Sequence, residues 1–373
     1  MISLIEKGRI SSFQMAVFLY PTIIATAILI VPAITAASAG RDMWLSPIWE
    51  LSTGIATIII IERLNTLYPK ESIMEFTPHI IGKIPAKLIG GLYIFFLFHV
   101  TGVIIREYTD FIVGIFMLQT PPIVVSAGMV FVSAFAVKAG IEVVARTSEF
   151  FVPIVIFIIF FIFVLLIPEL DFNRVQPVLE DGLMPSIKGA ASIQAWYSEV
   201  FLITFFLPLL SDRSKALKYS FLSLLLMAIT LLFTNLSTFL LFGMITEEQS
   251  YPLISATRYV SIADFFENIE SVVMALWVAG AYVKITVFYY AFVLGTAQYF
   301  KLSKFQPIVF PLAILLIISS LWASQSFTEV KDALGKAVPF YLPLFGTVIP
   351  FLLLMMAKIK NKIVNSLENN QQA

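Results

Sequence analysis

Three ionisable side chains stand deep inside apolar runs of this 373-residue sequence: Glu199, Lys284 and His99. An ionised carboxylate at the centre of a bilayer costs at least about 2.5–3.5 kcal/mol on insertion scales. Glu199, between Trp196–Tyr197 and Val200, must therefore be protonated, paired or wetted by a cavity, or serve as a structural hydrogen-bond partner for a neighbouring helix. Lys284 lies too far from either end of its run to snorkel out. It can pair with a carboxylate such as Glu199, fill a cation-like site between helices, or form a static ion pair. His99 suits a proton relay or a ligand contact, and equally a core histidine bonded to one carbonyl. Trp277 stands two helical turns before Lys284 on a similar face, where it lines a site or packs. Arg106, Glu107 and Asp110 at the outer end of span three read as an interfacial cluster, or alternatively a gate, with Arg106 and Asp110 one turn apart. Glu50 lies one to two turns from a membrane surface and is expected to reach it.

The elements that must carry these residues are membrane helices. Apolar residues make up 59% of the chain and charged residues 13%, about half the roughly 25% of soluble domains. Mean hydropathy is +0.92. A water-soluble globule lacks the polar cover for such a composition, so the lipid bilayer is the solvent. Disorder, a fibrous repeat and nucleic-acid binding are excluded on the same figures. The absence of cysteine removes disulfides, thiol chemistry and cysteine metal sites. No nucleotide-binding, HExxH or serine-nucleophile motif is present, so an enzyme is not expected and no cofactor or metal is implied.

A helix needs about 20 apolar residues to cross the hydrocarbon. Runs of that kind cover 10–40, 43–61, 88–105, a fourth starting at Pro121-Pro122, 150–167, 189–210, 219–246, 271–300, 305–327 and 337–357. This predicts ten transmembrane helices in one all-α polytopic domain over 1–373. The first run is too long for a cleavable signal and is read as retained. Sixteen of the 24 Lys and Arg fall on the side of the N-terminus, seven on the other, and Lys284 inside. That asymmetry puts both termini in the cytoplasm. The stretch from Tyr68-Pro69 to Gly82-Lys83 has the length of one amphipathic cytoplasmic helix, with Pro69 at its start and Gly82 at its exit.

A long acidic loop near 168–185 divides the spans into five and five, which gives an inverted repeat over 11–168 and 184–358. The first span of each half carries small and hydroxyl residues at mid-depth. These are Ala25-Thr26-Ala27 followed by Pro32, and Ala190-Ala191-Ser192 followed by Tyr197-Ser198-Glu199 and Pro208. Small residues also serve close helix packing. Their paired placement favours two helices that open at mid-depth and leave a polar hollow.

Ile28-Leu29-Ile30-Val31-Pro32 and Ala39-Gly40-Arg41-Asp42-Met43-Trp44-Leu45 resemble the first helix and outer turn of the spore germination permeases, the B subunits of nutrient germinant receptors within the amino acid–polyamine–organocation superfamily. Leu67-Tyr68-Pro69 to Gly82-Lys83, Arg106 to Asp110 with Thr120-Pro121, Tyr197-Ser198-Glu199, and Trp277 to Lys284 resemble that family's segments in the same order. The chain departs from the pattern in having Ala25-Thr26-Ala27 where Gly-x-Gly is expected and Ser198 where Gly precedes the glutamate. Both changes add bulk where backbone should approach a ligand. The resemblance implies a leucine-transporter-like fold, an amino acid or similar small nutrient as ligand, and partnership with an A subunit and a lipoprotein C subunit in the spore inner membrane.

Together these readings predict a ligand site between spans one, three, six and eight. Its residues are Ala25, Thr26, Ala27, Ile28, His99, Ala195, Tyr197, Ser198, Glu199, Trp277 and Lys284. Backbone at 25–28 and 195–198 would hold the ligand's charged ends. The competing functions are a proton- or sodium-coupled amino acid transporter, an ion-release channel, and a structural anchor for the other subunits.

Overall fold

Long apolar runs leave the backbone only one way to satisfy its polar groups in lipid, and the chain takes it: it is helical almost throughout. The structure, a computed structural model, describes residues 5–259, 269–324 and 327–372. Among them there is no sheet, only an isolated bridge between Ile10 and Leu210. In chain order the helices are α1 (Ser12–Ala39), α2 (Ser46–Leu67), α3 (Ile73–Ile81), α4 (Lys83–Ile115), α5 (Pro122–Ala139), α6 (Ile141–Leu166), α7 (Met184–Ser198) and the one-turn α8 (Ile203–Phe206). They continue with α9 (Ala216–Phe242), α10 (Pro252–Thr257), α11 (Ile269–Tyr299), α12 (Val309–Trp322), α13 (Phe327–Lys336), α14 (Val338–Pro343) and α15 (Ile349–Gln372). Eight helical stretches among the described residues are long and apolar enough to span a bilayer. The first of these contains both α1 and α2, joined by a tight turn at Gly40–Leu45, and Gln306–Trp322 forms a shorter apolar helix. The chain is a multi-pass membrane protein.

The axis of the bundle is α1. It packs against α9, α7, α11 and α6 and is buried along most of its length. Its start is strapped to the end of the α7–α8 segment. Ile10 N–H donates to the Leu209 carbonyl at 3.2 Å, and Ser211 N–H donates to the Ile10 carbonyl at 2.9 Å. The Ser12 N–H, one of the donors a helix start leaves free, donates to Asp212 Oδ1 at 2.6 Å. Nearby, Arg213 forks onto both oxygens of Glu62 at 2.9 and 2.5 Å.

The expected opening of span one is corrected here: α1 is one continuous helix through Ala25-Thr26-Ala27. Alanine is the best helix former, so two alanines around Thr26 favour closure where glycines would favour opening. Pro32 lies inside α1 without breaking it, and it withdraws the N–H that Ile28's carbonyl would otherwise accept. Span six behaves differently. Its α-helix stops at Ser198, and Glu199–Leu202 form a 3-10 turn. The cause is local. The Ser198 hydroxyl donates to the Ala195 carbonyl at 2.6 Å, and the Glu199 N–H goes to Trp196 instead, three residues back.

Two further boundaries move. The amphipathic helix α3 starts after Ser72, whose side chain and Glu75 form a capping box, so Pro69 lies before its start. Its exit is Gly82, at φ +86°, a conformation that glycine adopts freely. The third span runs on past Arg106 to Ile115, which places Glu107 inside a helix.

Candidate functional site

The 3-10 turn carries Glu199 to the centre of the bundle, where it is 3% exposed. Lys284, on α11 and 1% exposed, donates to it at 2.9 Å (Oε2) and 3.2 Å (Oε1). The same ammonium donates to Thr26 Oγ1 at 2.8 Å. Trp196 Nε1 donates to that oxygen as well, at 3.1 Å. One hydroxyl on α1 thus ties α7 and α11 together, and all three Lys284 contacts are charge-assisted or buried. On the neighbouring face of α1, Trp277 Nε1 donates to the Ala25 carbonyl.

Beside this node lies a cavity of about 30 Å3, room for a water molecule. Thr26, Ala195, Trp196 and Glu199 form one wall. The opposite wall is a stripe of α4: His99, Val100, Val103, Ile104 and Glu107, residues that share a face at helical spacing. Leu334 of α13 with Val338, Tyr341 and Leu342 of α14 close it. Among the described residues, His99 Nδ1, Glu107 Oε1 and Tyr341 Oη are buried without a hydrogen-bond partner, and all three belong to residues lining this one cavity. Buried polar atoms are normally paired, so this concentration marks a place for a guest. Charge points the same way. Glu107 lies within electrostatic range of both Lys284 and Glu199. Two carboxylates around one ammonium leave one negative charge over, and a proton or a cationic group must balance it.

Of the residues expected at the site, Thr26, His99, Ala195 and Glu199 line this cavity, and Lys284 stands behind Thr26 and Glu199 without lining it. Ala25, Ile28 and Trp277 do not line it. They border a separate apolar void of about 40 Å3 between α1, α6, α10 and α11. Ala27 is fully buried and borders neither space. Tyr197 turns away, its hydroxyl donating to the Pro47 carbonyl at 3.1 Å. Ser198 is spent on its own helix and faces Gly346, where an added Cβ would lie 2.7 Å from the Ser198 carbonyl oxygen. The continuous α1 explains these departures: with no opened backbone at 25–28, only the side chain of Thr26 reaches the cavity. Glu50, expected to reach the membrane surface, is instead 5% exposed.

Tyr341 is the functional candidate that reading the sequence missed, and Glu107, read there as part of an interfacial cluster, lies on the cavity instead. Counting uncharged residues ended span three at Arg106, yet the apolar stretch resumes at Phe111. Extending the helix from His99 by two turns puts Glu107 on the cavity face.

Two solved structures share this fold. The structure of MhsT in complex with L-phenylalanine superposes with a TM-score of 0.63, covering 91% of this chain and 88% of that one at 14% identity. Mhp1, a nucleobase-cation-symport-1 family transporter in a closed conformation with bromovinylhydantoin bound, gives 0.55, covering 94% and 92% at 12% identity. The likeness is one of fold: all-helical, leucine-transporter-like. In sequence the chain is 25% identical to spore germination protein KB of Bacillus subtilis (strain 168), over 96% of each chain. It is 23% identical to spore germination protein YndE of the same organism, over 95% of this chain and 98% of that one. It is also 23% identical to spore germination protein XB of Bacillus anthracis, over 74% and 78%. The family profile described as spore germination protein (Spore_permease) matches residues 9–328, and the chain belongs to that family.

Proposed function

We propose that this chain is the transporter-like membrane subunit of a spore germinant receptor, and that a small nutrient of the amino acid class binds in the cavity between α1, α4, α7 and α14. The observation that carries the reading is the set of unpartnered atoms on Glu107, His99 and Tyr341 around one space beside the Glu199–Lys284 pair. An ammonium group supplies the positive charge this cluster lacks and donates to Glu107. A ligand carboxylate would reach Lys284 by displacing Glu199 or Thr26 from its ammonium. The fold's likeness to a transporter in complex with L-phenylalanine supports the ligand class.

At about 30 Å3 the cavity is closed around at most a water-sized guest, so binding requires α13 and α14 to move off α4. A ligand that binds only the expanded form shifts the population toward it, and an A and a C subunit in the spore inner membrane would read that shift. The proposal includes ten crossings in a five-plus-five inverted repeat, with both termini cytoplasmic.

The test is equilibrium binding of the twenty amino acids to the full chain in lipid nanodiscs, with Glu107→Gln and Ala195→Leu as variants. The expected result is binding by at least one amino acid and a loss of roughly tenfold or more in each variant, equivalent to about 1.4 kcal/mol. Binding that both variants leave unchanged would remove the site. The surplus carboxylate also favours a second reading, proton-coupled amino acid transport. Uptake into proteoliposomes that follows an imposed pH gradient would select it over a pure receptor.

A further inference from the structure

A further carboxylate is buried inside the helices, away from the cavity: Glu50, the fifth residue of α2. Pro47, Glu50, Gly54, Thr57 and Ile61 recur at steps of three and four residues, and all are buried, so they form one stripe of α2. The helix packs chiefly on α7 and α9. The stripe is tightly seated on both sides of Glu50. The Tyr197 hydroxyl of α7 donates to the Pro47 carbonyl at 3.1 Å. An added Cβ at Gly54 would lie 2.5 Å from Cδ1 of Leu224 on α9, and the Thr57 hydroxyl meets that of Thr347 at 2.6 Å.

Ionised, Glu50 would have nothing to balance it. Among the described residues its Oε1 is buried without a hydrogen-bond partner. The polar side chains within its reach are hydroxyls, Thr53 one turn on and Tyr197. Charged groups on the elements packed against α2 are engaged or distant. At the start of α7, Lys188 is exposed, and in the 3-10 turn Glu199 is held by Lys284. In the turn before α2, Arg41 pairs with Glu180 at 2.7 Å, and Asp42 accepts from the Leu179 N–H. Lys218 and Tyr219 of α9, and Lys358, Lys360 and Lys362 of α15, lie toward the other end of α2, where Arg213 meets Glu62 and Lys360 meets the His79 carbonyl. Glu62 itself follows Glu50 by twelve residues, about 18 Å along the axis, and Arg63 beside it is exposed. A buried carboxylate without a counter-charge is costly at membrane depth, whereas the protonated acid is neutral and needs none.

We propose that Glu50 is a proton-binding site, loaded while α2 lies closed on α7 and emptied to water when that packing opens. The only bond that breaks is the O–H of the carboxylic acid, and the proton goes to solvent. The site is separate from the nutrient cavity. Tyr197 faces α2, while Glu199, two residues on, faces Lys284 on α11. Yet α2 also packs against the 3-10 turn that carries Glu199, so the proton on Glu50 helps to seat that turn. The inference goes beyond the nutrient reading and does not rest on it, because no ligand takes part. It supplies a proton carrier to the transport alternative.

The test uses the full chain in lipid nanodiscs without ligand. Infrared difference spectra of wild type against Glu50→Gln at neutral pH read the proton directly. The expected result is a carboxylic-acid C=O band that wild type has and the variant lacks; a carboxylate band lost in its place overturns the proposal. Amide hydrogen exchange over residues 46–57 and 190–202, corrected for its intrinsic pH dependence, reads the coupling. Opening that releases one proton grows about tenfold per pH unit. Wild type is expected to lose protection at that rate as pH rises above the ordinary glutamate value of about 4.3. Glu50→Gln and Glu50→Leu are both expected to stay flat, the leucine serving as a variant with no polar atom to satisfy. A flat wild-type profile overturns the proposal whatever the variants do, and variants as steep as wild type overturn it by placing the proton elsewhere.

Discussion

Replacing Lys284 with methionine removes the only cation among the described residues that contacts Glu199 and keeps a side chain of similar length. The ammonium is 2.9 and 3.2 Å from the two Glu199 oxygens and 2.8 Å from Thr26 Oγ1. At about 3 Å and an effective dielectric constant of about 20, the gross attraction is about 5–6 kcal/mol. Much of this is offset by the cost of taking two charges out of solvent, so the pair itself contributes little net stability. Removing one member is another matter. It leaves Glu199 buried and uncompensated, with Glu107 close enough to repel it, and such losses run to about 3–5 kcal/mol. The assay is thermal unfolding of purified protein in nanodiscs, alongside its abundance in membranes. Lys284→Met is expected to lower the transition sharply, and the double variant Glu199→Met/Lys284→Met to recover most of the loss because it removes both charges. A single variant as stable as wild type, or a double variant less stable than the single, would refute the reasoning.

The remaining predictions concern the groups that hold this pair in place. Thr26→Val deprives both Lys284 and Trp196 of an acceptor and is expected to cost about 1–3 kcal/mol, read as a lower unfolding transition; an unshifted transition would mean Thr26 is not the node. Gly346→Ala places a Cβ 2.7 Å from the Ser198 carbonyl oxygen, and its expected cost of about 1–3 kcal/mol is checked by the same scan. At the N-terminal strap, burial pushes the Asp212 carboxyl up, but the hydrogen bonds from Ser12, the nearby Lys215 charge and its own backbone together more than compensate and leave it below the usual 3.8. A carboxyl depressed in the folded state adds stability above its unfolded pKa and loses it as pH falls through the folded value. Asp212→Asn is therefore expected to be less stable than wild type near neutral pH, with the difference closing in acid below the ordinary carboxyl range; a difference independent of pH would contradict it.

What could be read from the residues alone was the part governed by solvent and by charge. Apolar runs in a chain with so few charges have to be membrane helices, and Glu199 and Lys284, each too deep to reach water, had few partners other than each other. The helix α3 was legible from its length and its exit glycine, whereas its start was put at Pro69 because the Ser72–Glu75 capping box went unread. Span one was misread because a proline and a hydroxyl look the same whether a helix opens or merely bends. The outcome turned on Ala25 and Ala27, which hold the helix closed, and on Trp196 and Lys284 meeting Thr26 from other helices. The direction of Tyr197 and Ser198 was likewise set at long range, by Pro47 and Gly346. Glu107 was read as interfacial because the charge beside it made the membrane span look finished. Its burial depends on α4 continuing to Ile115, which only the packing of α11 and α12 against it shows.

The most direct measurement of the central claim is a structure of the full chain in nanodiscs, determined with a saturating amino acid. The account predicts added density in contact with Glu107, His99 and Tyr341, with α13 and α14 displaced from α4 and Lys284 still against Glu199. Density located elsewhere, with this cavity unchanged and closed, would contradict it.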